Sequence, residues 1–375
     1  MSQLNFLGHE CSDEVFERQV YCEACMAKNL PCGPYEFQWD QEQEIACSAC
    51  QAVLFPESDL VKWKDSIQKI LDEKDIIVFQ RPTDLAHLKL MKKAKKMGKK
   101  IVQTADDDYI NVPLWNTGHK YYTERRGIIE ETFRICDAMD VTTPYLQNLY
   151  SSYCKKVDIL VNSQDIDLID VTPGLREFPA FSKSGERLTM DRFNEMRQGR
   201  KFILWGGSPT HEKDLEVIVG AARRITRSEK VVFGFVGYIH RQLMELIPAD
   251  SLCLFSLVPC MQYFMLYKGI KADIGLAPVC DVPFNHGKSS NKAVEYQIMK
   301  ILPMMSDLVT YQGCSPRGIY CGNLEYEWFR GLREAVHMSD DERLIRVEEN
   351  RKYVEDNYDI KKNVTLWERL YGELL

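Results

Sequence analysis

The sequence contains no apolar run of about 18 residues, so no membrane-spanning helix is expected. Its opening residues, Met1–Phe6, lack the basic and apolar regions of a secretory signal, and cytoplasm is the default compartment. Positive charge is not in excess either. With 48 Lys and Arg against 55 Asp and Glu, the net charge is −7. That balance argues against a surface that is basic everywhere and disfavours a nucleic-acid partner, while leaving room for a local basic groove. What is present is the makeup of a globular protein: 45% hydrophobic and 27% charged residues in a chain of 375, long enough for two domains of ordinary size.

Thirteen cysteines fit a reducing compartment only if most are free thiols or hold metal. Six of them crowd into the first fifty residues, and four form two Cys-x-x-Cys pairs, Cys22/Cys25 and Cys47/Cys50, separated by 21 residues. Each pair puts two thiolates on one tight turn, and two such turns facing each other make a tetrahedral zinc site. All four positions are then filled by protein, so the zinc would be structural. A small unit with little apolar sequence needs such a staple. His9, Cys11 and Cys32 are spare ligands, and the plain alternative is four unligated thiols.

Residues 1–55 read as this cysteine-rich unit. From Ser58 helices and short apolar strands alternate, which implies parallel sheets with right-handed crossovers. Strands are expected at 76–80, 100–104, near 141 and at 157–161, within a domain spanning 56–185. The stretch from Thr172 to Arg200 mixes Pro, Gly, Ser and charges without a period, and reads as a linker. A second domain, 186–350, restarts the rhythm with strands at 202–205, 231–236, 273–277 and 301–305. A charged, helical segment closes the chain, its last part (351–375) amphipathic. The expected fold class is α/β, with two doubly wound domains whose strand carboxyl ends face a cleft.

Three features fall at such carboxyl ends. Asp106-Asp107-Asp108 follows the second strand; three adjacent carboxylates repel one another, so they face a cation, a sugar or an acceptor, or else form a solvated acidic turn. Asp273–Pro278 reads as a buried strand leading into a loop with Asn285, Gly287, Lys288, Ser289 and Asn291, then a helix with Lys292 and Glu295. The helix start and Lys288 suit the phosphates of a nucleoside diphosphate, Gly287 permits close backbone approach, and Glu295 suits a ribose diol. The third feature, Gly206-Gly207-Ser208-Pro209-Thr210-His211, reads as a turn offering N–H groups to a phosphate from the opposite wall. It matches neither a Walker loop nor a Gly-x-Gly-x-x-Gly fingerprint, which disfavours a dehydrogenase.

Asp273–Pro278, Phe284-Asn285, Lys288-Ser289, Asn291-Lys292, Glu295-Tyr296, Pro303, Ser306-Asp307 and Tyr311 together resemble the donor half of family-four, GT-B glycosyltransferases. The Gly206-Gly207 turn with Asp214-Leu215, and the Asp triplet with Ile110 and Pro113, are similar to a bacterial and phage branch of that family. The resemblance implies two Rossmann-like domains and retaining transfer from a nucleotide sugar, a UDP- or GDP-sugar, with no catalytic divalent metal, in the cytoplasm of a bacterial or phage-infected cell. It also implies Lys288 on phosphate, Glu295 on ribose, Gly206 and Gly207 near the diphosphate, and a last helix crossing back onto the first domain. Two departures stand out: the position of a common sugar-gripping Glu is Gly287, and the cysteine-rich unit replaces the usual opening strand and loop.

On this reading Lys288, the glycine amides and the helix start stabilise the departing diphosphate, while Asp107, Asp108 and His119 are candidates to face sugar or acceptor. Ser208, His211, Asn285, Ser289, Asn291 and Lys292 complete the expected donor site. His119 and His211 also suit ordinary polar positions. The acceptor stays open among glycans, small molecules, proteins and nucleic-acid bases. The lysine run from Lys92 to Lys100 motivates a hydroxymethylated base in phage DNA, and a non-catalytic nucleotide-sugar or nucleic-acid binding protein with a zinc ribbon is a further alternative.

Overall fold

A computed structural model describes residues 64–375 together with two short strands, β1 (Gln19–Val20) and β2 (Tyr35–Glu36), which pair antiparallel. The expected zinc ligands Cys22, Cys25, Cys47 and Cys50 lie outside the described residues. The first lobe is built on four parallel strands that follow one another in chain order: β3 (Ile76–Gln80), β4 (Lys100–Ala105), β5 (Ala138–Val141) and β6 (Val157–Ile159). Successive side chains on a strand point to opposite faces. Ile77, Phe79 and Ile101 therefore pack with Met91 and Ala94 of the helix Leu85–Lys96. Ile76, Val78, Val102, Ala138 and Leu160 fall in a separate cluster, with Leu366, Trp367 and Leu370 of the last helix, Ile360–Gly372. Consecutive crossovers of one hand put their helices on one face. The end of the chain covers the other.

The second lobe holds an eight-stranded sheet. Six parallel strands, β9 (Lys201–Gly207), β10 (Val231–Gly237), β11 (Leu252–Phe255), β12 (Ile274–Ala277), β13 (Leu302–Ser306) and β14 (Ile319–Cys321), lie in the order β14-β13-β12-β9-β10-β11. The winding reverses between β9 and β12, which is where doubly wound sheets open a crevice for ligands. Strands covered on both faces read as continuous apolar runs, as in Val231–Val236, buried throughout. β11 and β14, four and three residues long, carry too little pattern to be anticipated.

The stretch expected to be a linker is partly structured. β7 (Ala180–Phe181) and β8 (Arg187–Leu188) form a hairpin that adds antiparallel to β11, and a helix spans Met190–Arg197. Two-residue strands at a sheet edge bury little, so their sequence shows no alternation.

At the seam, Ile166 and Ile169 of the first lobe pack with Val294, Ile298 and Val354 of the second. The buried Arg351 guanidinium donates to the Ile298 carbonyl, Asp170 Oδ2 and Glu355 Oε1, each at 2.6 Å. Gln164 N–H donates to the Tyr358 carbonyl (2.8 Å), and Ile360 N–H donates back to the Gln164 carbonyl (3.0 Å), where the chain returns to the first sheet. Replacing Leu370 by Ala should open a cavity under that sheet and cost about 2–5 kcal/mol. Urea denaturation followed by fluorescence checks this, and an unchanged midpoint would show that the last helix is not anchored there.

Candidate functional site

Asp214 organises the crevice. It sits in the short helix Glu212–Glu216 just after β9 and is buried at 3% exposure. Its Oδ1 accepts from Cys280 N–H (2.9 Å) and Asn285 Nδ2 (2.8 Å). Its Oδ2 accepts from His211 Nδ1 (2.7 Å) and Lys288 Nζ (3.2 Å). Burial alone would raise the Asp214 carboxyl; the His211 hydrogen bond and the Lys288 charge outweigh it and hold the group well below the usual carboxylate range. Burial pushes the His211 imidazole down to about 4, and its Asp214 hydrogen bond only partly opposes that. The ring is thus neutral at pH 7, and with Nδ1–H donating to Asp214, Nε2 keeps its lone pair.

The loop after β12 follows from this anchor. Asn285, 2% exposed, spends its amide on Asp214 and the Cys280 carbonyl (2.8 Å), while Thr310 Oγ1 donates to its backbone carbonyl. It shapes the loop and does not line the cavity. Lys288 is held beside Phe284, its Nζ 5.4 Å from the ring centroid. Lys292, in the helix Asn291–Ile298, lies over the Trp205 ring (5.2 Å) and donates to the Gly206 carbonyl (2.6 Å); burial lowers its ammonium pKa. Glu295, one turn further, accepts from Tyr263 Oη (2.8 Å) and is pushed up by burial.

Gly206 and Gly207 are strand residues, in register with Val236 and Gly237 of β10, which corrects the expectation of a turn there. Packing requires them to be small: a Cβ on Gly206 would collide with the Tyr267 hydroxyl, and one on Gly207 would come 2.8 Å from the Trp205 ring. The turn comes later, at Pro209–His211, and Thr210 and His211 are what this segment presents to the cavity. Ser208 bonds Thr210 Oγ1 through its hydroxyl (2.7 Å).

Opposite stand the ends of β3 and β4. Arg81 pairs with Asp106 through Nε (3.0 Å) and Nη2, and Tyr109 Oη donates to the same carboxylate (2.5 Å). Burial would raise Asp106, but the paired guanidinium more than offsets it and holds the carboxyl below its ordinary value. Asp107 is pushed up to about 6, by burial first and by the charge of Asp106 second. Asp108 is fully buried and accepts from Ile110 N–H and Asn111 N–H (both 2.9 Å), so it ties its own turn rather than facing the cleft. His119 does not line the cavity itself; its Nδ1 bonds the carbonyl of Val112 (2.7 Å), which does.

Between the walls lies a cavity of about 370 Å³. The first lobe contributes Asp106, Asp107, Tyr109, Asn116, Tyr122 and Asn162; the second contributes Thr210, His211, Lys288, Ser289, Asn291 and Lys292. Asn162 Nδ2 donates to Ser289 Oγ (2.9 Å), and Thr143 Oγ1 donates to the Gly287 carbonyl (3.3 Å) while capping its own helix at Leu146 N–H. Gly287 is thus pressed against the first lobe. A Cβ there would stand 2.9 Å from Leu146 Cδ2, which explains why a long acidic side chain is missing from that position. The sequence reading left Asp214 outside the expected site and missed Asn116, Tyr122 and Asn162. Only the acidic residue three positions after His211 gave a signal. The lysine run lies largely on the helix Leu85–Lys96, where Lys92 pairs with Glu131 (2.5 Å) and Lys95 with Asp137 (2.6 Å).

No family model and no curated protein matches the chain by sequence. Solved structures do match by shape. A glycosyltransferase from Rickettsia africae shares 16% identity over 94% of this chain and 86% of its own, with a TM-score of 0.59. The UDP-forming α,α-trehalose-phosphate synthase of Burkholderia xenovorans, in complex with glucose-6-phosphate, gives 13% identity, 84% and 78% coverage and a TM-score of 0.59. Anabaena HepE in complex with UDP gives 11%, 82% and 81%, and 0.58. At these identities the likeness is one of fold: the chain has the two-lobed α/β architecture of GT-B glycosyltransferase structures.

Removing Asp214 strands one cation, Lys288, and three neutral donors, the His211 ring N–H, the Cys280 N–H and the Asn285 amide. The Asp214→Ala variant should lose about 3–5 kcal/mol of stability at neutral pH. Because the folded carboxyl titrates below its unfolded value of about 4, this contribution is present above that pH and fades as pH falls further. Urea denaturation of both proteins at pH 7 and pH 3.5 checks the sign: the gap should narrow in acid, and a gap that widens there would be inconsistent with an ionised Asp214.

Proposed function

We propose that the protein is a glycosyltransferase that moves a sugar from a nucleoside diphosphate donor to an acceptor hydroxyl, with retention of configuration. One observation carries the reading. Asp214 gathers His211, Lys288 and the Asn285 loop at the reversal of the second sheet, so Lys288 and Lys292 converge on one wall of the cavity. Such a wall suits a diphosphate, and the start of the helix Asn291–Ile298 adds its dipole. Glu295 would meet the ribose diol. The neighbouring structures name UDP as a ligand and as a product, which makes UDP-sugars the first donors to try, with GDP-sugars next.

In the transfer, the bond between the anomeric carbon and the diphosphate oxygen breaks and its electron pair leaves with the diphosphate. The acceptor oxygen bonds the same carbon, and its proton passes to the departing phosphate oxygen. The two ammonium groups stabilise the charge that develops on the leaving group, in a site already organised before the donor arrives. The spacing of Cys22, Cys25, Cys47 and Cys50 supports a structural zinc in the amino-terminal unit. Elemental analysis should then find one zinc per chain, lost on replacing Cys22 and Cys25 by Ser; a metal-free native protein counts against it.

The Lys288→Ala variant should retain the fold, because Asp214 keeps three other donors, while transfer drops by about 100-fold or more. Turnover of a radiolabelled nucleotide sugar, together with circular dichroism, checks both halves. Near-normal turnover would remove Lys288 from the mechanism.

A further inference from the structure

The cavity is divided by charge. All its basic side chains, His211, Lys288 and Lys292, come from the second lobe. Among the described residues the first lobe adds no Lys, Arg or His to the lining; besides Val112 it adds Asp106, Asp107, Tyr109, Asn116, Tyr122 and Asn162. The nearby guanidinium of Arg81 is already committed to Asp106. Asp107 differs from both its neighbours. Asp106 is held by Arg81 and Tyr109, and Asp108 by its own turn, whereas no hydrogen bond reaches the Asp107 carboxylate among the described residues. The charges of Arg81 and Lys288 reach it, but its pair of acceptor oxygens is free in a half-enclosed space. Beside it the Tyr109 and Tyr122 rings stack at 5.5 Å with an interplanar angle of 15°.

We infer that the acceptor is an unphosphorylated saccharide, and that Asp107 selects it by accepting hydrogen bonds from its hydroxyls and repelling phosphate. This deepens the glycosyltransferase reading and rests on it. Carboxylate and carboxamide oxygens with an aromatic face are the groups that recognise a polyol: the oxygens take hydroxyl donors and the ring takes the C–H face of the sugar. A phosphorylated acceptor needs a cation of its own. The lysines face the donor diphosphate and Arg81 only balances Asp106, so a second phosphate on the first-lobe wall would meet the charge of Asp107, which no ion pair balances, at short range in a medium that screens charge poorly. Asp107 thus acts as a filter on acceptor charge.

The test uses the full chain and proceeds in two stages. Thermal stabilisation by nucleoside diphosphates and by nucleotide sugars first identifies the donor. Acceptors are then offered in matched pairs, each neutral mono- or disaccharide beside its phosphate ester, such as glucose and glucose 6-phosphate. Binding to the nucleotide-loaded protein is read by saturation-transfer NMR and transfer by nucleotide release. The neutral member of each pair should bind and react at least tenfold better. The isosteric Asp107→Asn variant should keep its nucleotide affinity within about twofold, lose most of that discrimination, and show its loss in the KM for the acceptor. Asp107→Lys should favour the phosphorylated member. Preference of the native protein for a phosphorylated acceptor, or an unchanged ratio in Asp107→Asn, overturns the inference. Failure of the underlying reading is a different result: no nucleoside diphosphate stabilises the chain at the first stage.

Discussion

The crevice depends on one buried carboxylate. Asp214 has four donors, two from side chains that carry or can carry charge and two from amides, and they belong to two separate segments: the turn after β9 and the loop between β12 and the helix Asn291–Ile298. A buried charge is costly unless it is partnered, so these contacts reinforce one another and hold their segments together. That requirement places Lys288, sets the tautomer of His211 and fixes the Asn285 loop. A positively charged wall is therefore built before any ligand arrives, and binding does not have to order it.

The seam between the lobes obeys a second constraint, close approach. Gly287 touches Leu146 and Asp108 of the first lobe, and Thr143 uses one hydroxyl both to cap its helix and to hold the Gly287 carbonyl. Asn162 reaches Ser289 across the same gap. These contacts come from residues adjacent to Lys288, so the position of that lysine is coupled to the docking of the two lobes. At the far end of the seam Arg351 and the return of the chain at Gln164 fix the lobes at a second point. The cavity lies where both lobes present strand carboxyl ends, and its two walls differ in charge because each sheet delivers its own loops there.

The parallel-sheet architecture was legible in the sequence because its strands carry apolar runs, such as Val231–Val236, buried throughout, and the largely half-buried Ile76–Phe79, and because helices of regular period separate them. That Lys288, Ser289, Asn291 and Lys292 line the cavity was legible for a related reason: they sit close together in sequence, and a loop entering a helix has a local signature. The β7–β8 hairpin was not, since two-residue edge strands have no pattern. Nor was the difference among Asp106, Asp107 and Asp108. Three identical neighbours were separated by Arg81, by Tyr109 and by a turn amide, and two of those lie elsewhere in the chain or depend on how the turn closes.

What the sequence determined alone is what short-range physics determines: the α/β alternation, the strand ends where polar loops emerge, and a helix start with lysines beside it. Tertiary structure decided which of those loops meet. It made Asp214 the hub of the crevice, turned Gly206 and Gly207 from phosphate-turn candidates into packing residues beneath Tyr267 and Trp205, and left Asp107 the free carboxylate of its triplet. The physical reason is that burial and pairing across distances of 66 to 74 residues set the charge and availability of these groups, and no local spacing encodes such contacts.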